Sequence, residues 1–455
     1  MRTPPPAAAA GDPAVSAPFA QRMPVPPPLE PTRRSAGCDL YDITIGETDQ
    51  EIIKGLSTTV QSYAGQFPGP TIKARRGRPI VIRQSNELNV DTNVHLHGGH
   101  VPAEHDGHPT DIISPGDSRV YYYPNEQRAA SLWYHDHAHH LEAENVYRGL
   151  HASYILSDDH ERSLPLPEGD YDVPLQIRDA RIEEDGTLVY TRAADRPHIL
   201  VNGRERPFFQ VAARKYRFRV YNMSVDRYMR FRFADGAEYT QIGTDGGLLP
   251  TPLTTNETFL SAGERADIVV DFSHYRVGSS IVLQNTEALD TENADVMRFD
   301  IVKQAPDPSV VPGELSEIPA LPTPTVERQF VLSTDHDAGT YVINDKTYDP
   351  NRVDVSTKLG TTEIWTITNG DKLVPPPDFH VHHNFHTHLA QFQVLDRNGE
   401  PPKPWERGMK DIVFVPPGDT VRIAMTWATY TGQFVYHCHH LPHSSWGQMA
   451  TIEVT

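Results

Sequence analysis

The chain has 455 residues, with 41 basic against 60 acidic side chains, a formal charge of -19 and only two cysteines. That length is enough for two to four ordinary domains. The acidity argues against a nucleic-acid partner, which needs a clustered basic face, and no apolar run is long enough to span a bilayer.

In chain order, residues 1–37 come first, rich in Pro and Ala, and read as a disordered tail. They hold no apolar signal-peptide core, and Arg33-Arg34 is not followed by an apolar stretch, so a cytoplasmic protein is expected. The rest reads as all-β: short runs of Val, Ile, Tyr and Phe alternate with Gly, Pro, Asn and Asp turns. "RPIVIRQSN", "KYRFRVYNMS" and "TEIWTITNG" predict three strands, each ending at or near an Asn. Each is followed by a second signature, "ISPGDSRVYYY", "LSAGERADIVVDF" and "VPPGDTVRIAM": a turn, an acidic residue, an alternating strand. One pair of signals in three copies predicts three β-sandwich domains, 38–165, 166–310 and 311–455. The last opens on a Pro-rich linker, "QAPDPSVVPGELSEIPALPTPTVE".

Histidine is the unusual count, at 23. It gathers in "NVHLHGGH" (His95, His97), "LWYHDHAHH" (His135, His137), "FHVHHNFHTHLAQFQVL" (His383, His386, His388) and "FVYHCHHLPHSSWGQM" (His437, Cys438, His439, His443). On a strand, residues two apart share a face, so each His-x-His presents two imidazoles together. Two pairs lie in the first domain and two in the last. Facing one another across an interface, they suit three copper ions with room for a small ligand. Cys438 points the other way from its two neighbours. With His383 and His443 it makes the His₂Cys set of a blue copper site, joined to the cluster through one residue of backbone. Zinc fits less well, because structural zinc sites are four-coordinate and usually hold more than one Cys. With Cys438 taken by a metal no intrachain disulfide is left, which fits a reducing compartment. His100, His139, His140, His380, His382 and His440 are read as bystanders or as neighbours of the ligands.

At these clusters the sequence resembles the multicopper oxidases. "SYAGQFPGPTIKARRG", "VHLHGGHVPAEHDG", "IGTDGGLL" and "GMKDIVFVPPGDTVRI" are similar to the bacterial three-domain branch of spore-coat laccases, bilirubin oxidases and phenoxazinone synthases. The resemblance implies cupredoxin-like Greek-key sandwiches and four copper ions: one type 1, one type 2 and two type 3. It implies His383, Cys438 and His443 at type 1, and His95 and His386 at type 2. His97, His135 and His437 then hold one type 3 ion, and His137, His388 and His439 the other. Type 1 copper takes electrons singly from a donor, and the cluster reduces dioxygen to water. His443 is the ligand facing the substrate. The implied partners are dioxygen and a small phenol or aminophenol, in pigment or secondary-metabolite synthesis. A copper-holding coat or storage protein and a cuprous oxidase share these ligands. The eight Met are scattered, whereas a cuprous oxidase usually carries a Met-rich insert.

Three positions depart from the family pattern. Asn384 follows the type 1 His where Pro is usual, and only a local change of rigidity is expected. Gln448 stands where the axial Met is usual, with Met449 next. A Gln oxygen there predicts a low-potential site suited to electron-rich donors, while a slip of one residue returns Met449 to the copper. Ser444 follows the last type 1 His, where relatives carry a proton-donating Glu. Asp106, in "EHDG", is then either a proton relay to the oxygen site or a residue that shapes the turn before Gly107.

Overall fold

A computed structural model describes residues 11–288, 291, 294–371 and 381–455. Six sheets pair into three sandwiches, and the predicted strands fall in equivalent places in each. Ile80–Asn86, Lys215–Asn222 and Thr362–Asn369 each pair in parallel with an earlier strand: Asp39–Gln50, Asp172–Ala180 and Val326–Asp335. Each also pairs antiparallel with the strand of the second signature: Ser118–Tyr123, Arg265–Asp271 and Thr420–Thr426.

The terminal Asn explains why the two signatures recur together. Asn86 Nδ2 donates to Ile113 O, Asn222 Nδ2 to Leu260 O and Asn369 Nδ2 to Val415 O. Ile113, Leu260 and Val415 are the residues that open the second signature. Each Asn Oδ1 in turn accepts from the backbone N–H two residues on, at Leu88, Ser224 and Asp371. A buried amide with every polar group satisfied thus ends the strand and pins the returning turn.

Each sandwich closes on its own apolar core. Tyr41, Ile43, Ile82 and Tyr121 meet Leu96, Leu132 and Tyr154 in the first; Phe218, Val220 and Ile268 meet Phe231, Leu283 and Phe299 in the second. In the third, Trp365, Ile367 and Ile423 meet Phe385, Tyr436 and Ile452. The inner sheet of the first sandwich carries His95–His97 and Ala130–His135; that of the third carries His383–Thr387 and Gly432–Cys438. All four histidine clusters therefore sit on or just beyond two sheets.

The described part of the N-terminal segment is not the disordered tail expected. From residue 11 onward it is laced onto the folded body. Ala14 N donates to Ile182 O, and Met23 N to Phe208 O. Met23 is buried in the middle core, and Arg33–Arg34 pairs with Asp39 and Leu40. Proline removes donors but leaves carbonyls and apolar rings, which suits an extended strap on a finished surface. Residues 1–10 of the segment, and His380, lie outside the described residues. Among the described residues no helix is long and apolar enough to cross a membrane.

Candidate metal centre

The predicted residues converge into groups whose ligand atoms lie within 4.8 Å of one another: His95, His97 and His386; His97, His135 and His439; His137, His388 and His437; and His383, Cys438 and His443. The first three groups each mix side chains from the first and third sandwiches. His95 and His386 fall together, and so do His383, Cys438 and His443. The partition of the other two triads differs from expectation. His439 joins His97 and His135, and His437 joins His137 and His388. Spacing puts His437 and His439 on one side of Cys438 but does not say which meets which partner. Register decides: His437 pairs with His386 inside the sheet, whereas His439 lies past the strand end and donates its N–H to Asn384 O.

Six of these eight rings are held by the outer nitrogen. Nδ1 of His95, His135, His386 and His437 donates to the carbonyl of Asp106, Asp136, Asp411 and Cys438, at 2.6, 2.8, 2.7 and 2.9 Å. His97 Nε2 donates to Asp411 Oδ1 and His388 Nδ1 to Asp106 Oδ2. These bonds fix the tautomers and aim the remaining lone pairs inward. Nε2 of His95, His386 and His388 is buried without a protein partner among the described residues. His97 Nδ1 faces His135 Nε2 at 3.4 Å. Both outer nitrogens carry the proton, so two lone pairs confront each other. A cation between them would make that arrangement favourable. Burial also holds His97, His135, His137, His386, His388 and His439 well below the usual 6.5, so the imidazoles are neutral and ready to ligate. The residues fit metal ions.

The His₂Cys group lies on the other side of the Cys438 backbone. His383 Nε2 donates to Asp371 Oδ2 at 3.0 Å, which frees Nδ1. Cys438 Sγ lies 3.7 Å from His383 Nδ1 and 3.6 Å from His443 Nδ1. Burial pushes the thiol up to about 12, so a soft cation must displace its proton to bind. His443 is the half-buried member, and Tyr341 stacks on its ring at 3.9 Å. Gln448 is buried beside His383. Its Nε2 donates to Ser333 O and Val342 O, which leaves Oε1 without a donor. Met449 packs instead with Tyr348 and Val435.

Sequence reasoning missed two features. Asn384 does more than alter rigidity. It lies within the strand, its Nδ2 donates to Ala262 O of the middle sandwich, and its Oδ1 sits 3.6 Å from Cys438 Sγ. Among the described residues the middle sandwich supplies no ligand, yet it abuts the cluster. Gly263 has φ +86°, and a Cβ there would stand 2.8 Å from the His439 ring. The glycine in "LSAGERAD" marked a turn, and nothing in the sequence showed what the turn approached.

Comparison with known proteins agrees with this geometry. Three family models described as multicopper oxidase match residues 44–161, 133–296 and 321–455. The chain is 35% identical to a laccase of Bacillus subtilis (strain 168), covering 96% of this chain and 98% of that protein. It is 34% identical to a bilirubin oxidase of Albifimbria verrucaria, over 96% of this chain and 81% of that one. The solved multi-copper oxidase of Pediococcus acidilactici superposes with a TM-score of 0.87 at 34% identity, over 98% of this chain and 93% of that one.

Proposed function

The chain belongs to the multicopper oxidase family, and from that premise we propose that it couples one-electron oxidations of a phenol or aminophenol to the four-electron reduction of dioxygen to water. It is a laccase-like copper oxidoreductase; the donor class, the four-copper count and the oxygen product are the parts proposed. Copper at His383, Cys438 and His443 would supply one-electron chemistry, and three coppers between the eight other histidines would supply a multi-electron site for dioxygen.

The observation that carries the reading is the position of His443 between solvent and the sulfur. It is half-buried, and its ring lies against aromatic groups. Tyr341 stacks on it, and His382, close by, stacks on Phe414 at 5.3 Å and meets Tyr228 edge-on. A planar donor can lie among such rings and pass an electron through the imidazole edge. Behind it, the Cys438 backbone runs directly to His437 and His439, one in each of two histidine groups. Asp106 holds the His388 ring and receives the His95 N–H on its own carbonyl. It is the acid we assign to proton relay on that side.

The test is dioxygen uptake by the copper-loaded protein with 2-aminophenol as donor, with peroxide assayed alongside. Uptake without peroxide is expected. A fully loaded protein that consumes no oxygen with any phenol or aminophenol would instead be a copper-holding protein, and peroxide as the product would rule out the four-electron step.

The axial position makes a second prediction. Gln448 Oε1 would be the weak fourth ligand of a copper held by His383, Cys438 and His443, because its amide is locked by two carbonyl acceptors and its oxygen is left without a donor. An amide oxygen is a harder donor than a thioether and favours Cu(II). Gln448→Met is therefore expected to raise the type 1 reduction potential, read by redox titration of the blue absorption. An unchanged potential would remove Gln448 from the site.

A further inference from the structure

Glu142 opens the helix Glu142–Arg148 and is fully buried, at 0% exposure. It lies one turn past His137, with its N–H donating to Ala138 O at 2.9 Å. Buried carboxyls are normally paired with Arg or Lys. The main influences on this one include neither: they are burial, its own backbone N–H, the Ser444 and Ser445 hydroxyls and Asp136, which repels its charge. Ser444 Oγ donates to Oε1 at 3.0 Å across the seam between the first and third sandwiches. Oε2 has no aligned donor among the described residues, the neighbouring Ser445 hydroxyl included.

The same seam holds other buried polar atoms without a protein partner, His137 Nδ1, His139 Nδ1 and Tyr348 Oη among them. Tyr348 lies close enough to Glu142 to feel its charge. The His139 ring stacks on His140 at 3.7 Å and meets Tyr348 edge-on at 4.9 Å. His140 is exposed, and its Nδ1 donates to Ser445 O. Buried polar atoms left unpaired by protein are satisfied by ordered water. An exposed histidine, ring contacts that lead from it to Tyr348, and a buried carboxyl near Tyr348 on the helix that follows His137 have the make-up of a proton path.

We propose that Glu142 delivers protons to the histidine-lined chamber from the His137 side and regains them from solvent through the seam beneath His139 and His140. The inference rests on the oxidase reading above. One dioxygen takes four electrons and four protons to give two waters. The donor supplies the electrons one at a time. Each proton that leaves Glu142 leaves a carboxylate, and one solvent proton restores the acid. Burial, the largest influence, pushes the carboxyl up to about 8, so Glu142 carries its proton at neutral pH and can still release it.

Glu142→Gln keeps an oxygen for Ser444 and removes the acid. In the copper-loaded full chain, bleaching of the blue colour by 2-aminophenol without oxygen is expected to stay at the wild-type rate. Reoxidation by dioxygen is expected to slow about 100-fold, the lower end of the general-acid range, with a larger solvent deuterium effect. Ser444→Glu, which moves a carboxyl across the same contact, is expected to restore at least a tenth of the rate in the Glu142→Gln background. In the copper-free protein, the infrared carbonyl band of a protonated carboxyl is expected at neutral pH and is lost in Glu142→Gln. Reoxidation at the wild-type rate in that variant, or an unchanged band, overturns the assignment. A wild-type protein without oxygen uptake sinks the oxidase reading and this inference with it; full uptake in both proteins sinks this inference alone.

Discussion

Cys438→Ser is expected to give a folded, colourless protein whose oxygen uptake with 2-aminophenol falls by more than about 100-fold. Losing a group that merely orients a ligand costs about 10- to 100-fold, and Cys438 stands nearer the chemistry than that. Its sulfur is within 3.7 Å of two Nδ1 atoms. Its backbone is the shortest link to His437 and His439, which serve different histidine groups. A hydroxyl is a poor ligand for a soft ion, so the intense blue band should vanish and bound copper should fall by one ion per chain. The histidine groups share no atom with the sulfur and should keep their metal. Visible absorption, copper analysis and oxygen uptake on one preparation separate the effects. A variant that stays blue would take Cys438 out of the site.

Arg265→Met is expected to destabilise the copper-free protein by about 3–5 kcal/mol, the usual cost of breaking a buried ion pair from one side. Arg265 belongs to the middle sandwich. Its Nη1 and Nη2 donate to Asp411 of the third at 2.6 and 2.7 Å, and its Nε to Ser131 O of the first at 2.9 Å. Asp411 Oδ1 also receives His97 Nε2 at 3.0 Å. Lys410, Asp245 and Glu264 complete the buried network, with Lys410 Nζ 2.8 Å from Asp245 and 2.9 Å from Glu264. Without the guanidinium, three buried carboxylates are left with one lysine, and the His97 ring loses the anchor of its anchor. Copper retention against a chelator should therefore weaken about 10- to 100-fold as well. Urea denaturation of the copper-free chain measures the first effect, and dialysis against chelator the second. Unchanged stability would show that this ion pair does not help to hold the sandwiches together.

The sequence carried what periodicity and residue chemistry can carry. The repeated strand-and-turn signatures mark real strands because alternation and a terminal Asn are local properties. His-x-His reports a shared face for the same reason. What stayed hidden depends on contacts between distant segments. The exchange of His437 and His439 between partners is set by sheet register and by how two sandwiches meet. Asn384 looked like a lost proline until Ala262 and the Cys438 sulfur appeared on either side of it. Nothing in the sequence drew attention to Glu142, and only its burial against Ser444 shows that an acid returns from another domain to the place where the last cluster lacks one. Composition made the Pro-rich beginning look disordered, because it says nothing about grooves on a finished surface.

The division of the histidine groups between the first and third sandwiches bears on how the protein is made. His137 and His437 lie 300 positions apart in the chain. A growing polypeptide therefore displays the first half of the cluster long before the second exists. A partial chain can offer paired imidazoles to a passing metal, but it has no sulfur to accept an electron and no enclosed chamber for oxygen. The hazardous chemistry is gated by completion of the polypeptide. Until the third sandwich docks, three of the histidine groups are incomplete, and a metal bound within them would join the first sandwich to the third.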